Sequence, residues 1–169
     1  MTTDSGIYTN ELERVERGPS PGEDRYGYFV VDADAACGSG AGDVLVRCRE
    51  VMRAVLTQPE DPWPSVEAWR QLLPRWFIEA GGEEDSPDAM AEVMAGIKQM
   101  TAEEQEKLPW PAGAWVNTFE YGRSWFWWDA EVVAPHHLRV KLAVEGHPWS
   151  EGAIRWLLIA AGATHVTFS

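Results

Sequence analysis

The sequence predicts an α+β domain with an antiparallel sheet. Three observations carry this: an aromatic, β-branched run at residues 26–31, a block of helix signals between residues 43 and 108, and strand-like segments around one strongly apolar helix after residue 113. Apolar residues make up 45% of the 169, enough for a core without disulfides or metals. We expect residues 1–24 to form a polar, flexible arm ending in Gly-Pro-Ser-Pro-Gly, and residues 25–169 to form one globular domain.

The elements follow in order. Residues 26–31 (Tyr-Gly-Tyr-Phe-Val-Val) read as a strand, and residues 32–42 as a small-residue loop. Asp43 is placed to cap a helix over residues 44–56, with Val44, Cys48, Val51, Met52 and Val55 on one face. Pro59, Pro62 and Pro64 interrupt the chain. Ser65 then caps a short helix that turns Trp69 inward, and residues 74–78 start another turn. Ser86-Pro87 opens a helix to about Met100, Ser at the cap and Pro in the first turn. Thr101 and Glu104 form a capping box for a helix to Leu108.

After residue 113 the alternation predicts strands at 115–121, 124–133 and 138–145, a helix at 150–161 with Gly162 at its end, and a strand at 164–168. A two-residue turn at Gly122-Arg123 makes the first two strands a hairpin, and residues 134–137 join the second to the third. Alternation then collects Trp115, Phe119, Tyr121, Phe126, Trp128 and Val132 on a core face, with Leu138, Val140, Leu142 and Val144. The opposite face holds Trp125, Trp127, Asp129 and Glu131, with Arg139 and Lys141 placed to pair with the two acids. Trp125 and Trp127 have two readings: buried under the acidic helices in a three-layer domain, or a half-open aromatic face rimmed by carboxylates, of the kind that anchors a protein partner.

The chain has 27 acidic against 14 basic residues, a net charge of −13. Residues 1–112 carry 22 acids and 10 bases, so the acidity belongs to the first two-thirds. Its densest stretch holds Glu79, Glu83, Glu84, Asp85 and Asp88, either a solvated loop or a docking surface for a basic partner. This charge argues against a main role in coating nucleic acid or anionic membrane. No run reaches the length of a membrane span, and the first residues lack the basic start and apolar core of a secretory signal. Cys37 and Cys48 are too few for a disulfide scaffold. A cytoplasmic location is expected.

Motifs for chemistry fail one by one. The glycines at 38, 40 and 42 follow a strand and precede a helix, but a dinucleotide loop needs its third glycine where Asp43 stands. Asp32 and Asp34 open like a calcium loop, but Ala36 and Cys37 break the pattern. His136, His137 and His147 lie near strand ends and could meet at a metal, yet no ligand spacing supports it; His165 reads as a core histidine. No cofactor, metal or catalytic residue is assigned.

Composition and charge therefore favour an acidic cytosolic binding module that is not an enzyme: a stoichiometric inhibitor, such as an immunity protein or antitoxin, that neutralises a basic toxin or effector. Carboxylates would take the place of phosphates on the partner and aromatics would supply buried anchors. The candidate contacts are Glu79, Glu83, Glu84, Asp85, Asp88, Trp125, Trp127, Asp129 and Glu131. Two alternatives stay open: a ligand-binding domain or enzyme with a pocket holding His136, His137, Asp129 and Glu131, and a subunit of a homo-oligomer that buries Trp125 and Trp127.

Overall fold

A computed structural model describes residues 5–59, 61–82, 95–97, 99–120 and 122–169. The class is α+β. The helices are α1 (Ser5–Thr9), α2 (Glu11–Arg17), α3 (Ala41–Leu56), α4 (Val66–Leu72), α5 (Arg75–Gly81), α6 (Ala102–Glu106), α7 (Ala112–Glu120) and α8 (Gly152–Ala160). The strands are β1 (Phe29–Cys37), β2 (Trp125–Ala134), β3 (His137–Val144) and β4 (Ala163–Phe168). They form one antiparallel sheet in the order β2-β3-β1-β4.

The main core lies between one sheet face and the helices α3, α4, α5, α7 and α8. Val31, Ala33, Ala35, Leu138, Val140, Leu142 and Val144 meet Val44, Cys48, Val51, Met52 and Val55 of α3 there, the apolar face that helical spacing predicts. Trp69, Phe77, Trp115, Ile154 and Leu157 complete it. A smaller cluster of Ile7, Tyr28, Phe126, Trp128 and Ala143 occupies part of the opposite face. The polar arm expected over residues 1–24 is thus replaced, over residues 5–17, by two helices that bury Ile7, Glu11, Arg14 and Val15. Composition conceals this because two of the four buried residues are charged.

Several boundaries move. β1 runs through residues 32–37, where the sequence predicts a loop, because Val31, Ala33, Ala35 and Cys37 alternate as buried positions. Helix α3 is capped at Gly40 rather than Asp43, which sits in the first turn, where a carboxylate suits the helix dipole. Ser65 and Thr101 cap as expected, their hydroxyls accepting from the N–H groups of Ala68 and Glu104. Gly162 follows the last residues of α8 with φ +125°, a conformation open to glycine. Of the helix expected from Ser86 to Met100, residues 95–97 are helical and most of the rest lies outside the described residues.

The largest correction concerns residues 112–120, which form helix α7 and not a strand. The carbonyl of Pro111 accepts from the Trp115 N–H and opens the helix. Trp115 and Phe119 fit alternation, but Trp115, Val116 and Phe119 together fit one helix face, and the indole of Trp115 donates to the Ala153 carbonyl at 2.9 Å. The hairpin at Gly122-Arg123 therefore does not exist; the hairpin is β2–β3, turning at Pro135-His136.

A bulge in β2 decides the faces. Trp125 pairs with Val144 and Trp127 with Leu142, but the register then shifts, so Asp129 faces Lys141 and Ala130 faces Val140. One extra residue inverts the side chains that follow, as far as the second shift after Val132. Before the bulge the odd positions Trp125 and Trp127 enter the main core; after it the odd positions Asp129 and Glu131 lie with Arg139 and Lys141 on the open face.

Candidate functional site

Beyond the cover of α1, the open sheet face is a charge ladder. His137, Arg139 and Lys141 of β3 stand between Asp32 and Asp34 of β1 and Asp129 and Glu131 of β2. Asp34 Oδ1 takes hydrogen bonds from His137 Nε2 at 2.6 Å and Arg139 Nε at 2.9 Å. Lys141 Nζ donates to Asp32 Oδ1 at 3.1 Å, and Arg139 lies 3.6 Å from Asp32 Oδ2. Burial alone would raise the Asp34 carboxyl, but the bonds from His137 and Arg139 outweigh it and hold it below the ordinary carboxylate range. The cross-strand partners of Arg139 and Lys141 are thus the aspartates of β1, not Asp129 and Glu131 as expected. No local signal points to this pairing, because Asp32 and Asp34 read as loop.

The candidate residues scatter. Trp125 and Trp127 are 1% and 0% exposed, so the half-open aromatic face is absent and neither indole is available as an anchor. Phe119, Trp115 and Phe77 extend the ring contacts from Trp125 through the core at 4.9–6.0 Å. Glu79 is exposed and pairs with Arg75 one turn earlier at 2.9 Å. Glu83, Glu84, Asp85 and Asp88 lie outside the described residues. Asp129 is half-buried and accepts from the Ala130 N–H at 2.8 Å, and Glu131 is exposed.

The histidines do not converge. His136 Nδ1 bonds the Cys37 carbonyl at 3.0 Å, His137 bonds Asp34, and His147 lines a shallow surface depression with Ser124, Glu145 and Trp149. His165 is exposed on β4 and is not a core residue. Among the described residues no group of three or more His, Cys, Asp or Glu side chains is placed to hold a metal. The histidine with a carboxylate partner is His137, on the open face and not in a pocket between sheet and helices.

Sequence reasoning missed a buried ionic network under α2. Glu11 receives Arg123 Nη1 and Nη2 at 2.7 and 2.5 Å and the backbone N–H of Trp127 at 2.8 Å. Arg14 donates to the carbonyls of Trp127 at 2.8 Å and Ile7 at 2.7 Å, and to Glu23 at 3.0 Å. Arg123 also lies over the rings of Phe119, Trp125 and Phe126 at 4.2–5.2 Å. The only trace in the sequence is the i, i+3 spacing of Glu11 and Arg14.

Acidity and pairing are unevenly distributed. Residues 57–112 hold 12 acids and four bases, a net charge of −8. In that span Glu67 and Glu104 are exposed on α4 and α6 and Glu103 pairs with Lys107 at 3.8 Å, whereas the two aspartates of β1 are neutralised. No helix among the described residues is long and apolar enough to cross a membrane. No protein-family model, curated protein or solved structure matches the chain.

Proposed function

We propose that this chain is a stoichiometric protein-binding module that neutralises a basic toxin or effector in the cytosol, in the manner of an immunity protein. The observation that supports it is the segregation of charge along the chain: a surplus of −8 over residues 57–112, of which Glu67, Glu79 and Glu104 are exposed among the described residues. A basic partner, such as a nuclease at its phosphate-binding surface, would be steered to such a surface and held by carboxylates in place of phosphates. The contacts assigned to this reading are Glu79, Glu83, Glu84, Asp85 and Asp88, with Asp129 and Glu131 at the β2 edge; Trp125 and Trp127 drop out because they are core.

The test is affinity capture of the tagged protein from a lysate of its source organism, followed by stopped-flow association of the purified pair at rising salt. The expected result is one basic protein held at one-to-one ratio, with an on-rate that falls steeply as salt rises. A salt-insensitive on-rate, or recovery of the chain alone as an oligomer, would refute the proposal.

A further inference from the structure

Each edge strand of a sheet presents unpaired backbone groups that can recruit another strand. Side chains of this chain take outward backbone groups at points on both edges. On β4, Asp32 and Ser169 exchange both backbone bonds at 2.9 and 3.0 Å, so alternation turns the groups of Val166 outward; there Arg155 Nη1 donates to the Val166 carbonyl at 2.8 Å. On β2, Glu11 and Arg14 take the N–H and the carbonyl of Trp127, and Asp129 takes the N–H of Ala130.

Beyond Ala130 no side chain among the described residues takes a backbone group of this edge. Glu131, Val132, Val133 and Ala134 are all exposed, the two valines by 47% and 41%. The Ala130 N–H points outward to Asp129, and the register between Ala130 and Val132 is unbroken, so Val132 presents the next outward pair of backbone groups.

We propose that this stretch of β2 accepts an extended segment of the basic partner as a fifth strand. The inference rests on the reading given under Proposed function and adds where and how the partner is held. Backbone pairing at Val132 would supply affinity, and Glu131, whose neighbours Arg139 and His137 are drawn toward Asp34, would select lysine or arginine across from it. A second copy of the chain fits less well, because two chains of net charge −13 repel.

The probe is a synthetic peptide of alternating lysine and valine, compared with the same peptide N-methylated at alternate backbone nitrogens. Charge is identical in the two, and only backbone donors differ. The expected result is slowed amide exchange confined to residues 130–134 and a loss of about tenfold or more in affinity on N-methylation. Val132→Pro, which removes an outward N–H and leaves the β2–β3 ladder intact, should weaken the parent peptide to the same degree with an unchanged urea midpoint. Equal affinity for both peptides, or protection elsewhere, would overturn the edge proposal while salt-sensitive binding left the basic-partner reading standing. If neither peptide binds at low salt, the edge proposal falls and the partner reading is judged by the capture experiment alone. Should Val132→Pro unfold the chain, the peptide pair still decides.

Discussion

Replacing Glu11 with alanine tests the buried network most sharply. Glu11 is 0% exposed and the Arg123 side chain only 4%, so removing the carboxylate strands a guanidinium away from water. Breaking a buried ion pair from one side costs about 3–5 kcal/mol. The Trp127 N–H loses its acceptor as well, a further cost of about 1–3 kcal/mol when a buried donor is left unmet. The two terms overlap, and we expect about 3–5 kcal/mol in total, a large share of the roughly 5–15 kcal/mol that holds a domain folded. Urea unfolding followed by tryptophan fluorescence measures it. Arg123→Met in the Glu11→Ala background removes the stranded charge and should recover part of the loss, so the double-mutant cycle should show strong coupling. A loss below about 1 kcal/mol, or additive single effects, would refute the account of this network as a closed buried pair.

Further outcomes follow from the same geometry. Gly81→Ala would place a Cβ 2.1 Å from the Trp110 carbonyl oxygen, and overpacking of that kind should cost about 1–3 kcal/mol in a denaturation experiment. Asp34 sits below its ordinary value of 3.8 in the folded state, so its contribution to stability is fully present above that value and is lost as pH falls through the lower folded value. Asp34→Asn should therefore lower the unfolding midpoint at neutral pH, with the difference from wild type vanishing in strong acid. Burial pushes both thiols up, Cys48 further than Cys37, so Ellman's reagent should modify neither in the native protein and both after denaturation. Trp127→Ala should cost about 3–5 kcal/mol of stability, the result of emptying a core site.

Local signals were legible where the chemistry is local. The hydroxyl caps at Ser65 and Thr101, the apolar stripe of α3 and the turn after Ala134 depend on residues a few positions apart, and each was read from the sequence. The run at 115–121 reads as a strand because tryptophan, valine and phenylalanine favour strands, while Pro111 and packing against Ala153 make residues 112–120 a helix. For the candidate site, Glu131 and Asp129 were placed on the correct face of β2, but Trp125 and Trp127 were not.

The sequence by itself determined the α+β class, the main helix α3, the β2–β3 hairpin turn and the acidic excess of residues 57–112. Those follow from composition, periodicity and caps, which the chain carries wherever it folds. Only the tertiary structure decided which side of β2 is core, because a single bulged residue at Trp128 reverses the alternation. It alone also decided that Glu11, Arg14 and Arg123 are buried and that Asp32 and Asp34 claim the cations of β3. Burying or pairing a charge depends on partners more than 100 residues away, as with Glu11 and Arg123, and no local pattern encodes them.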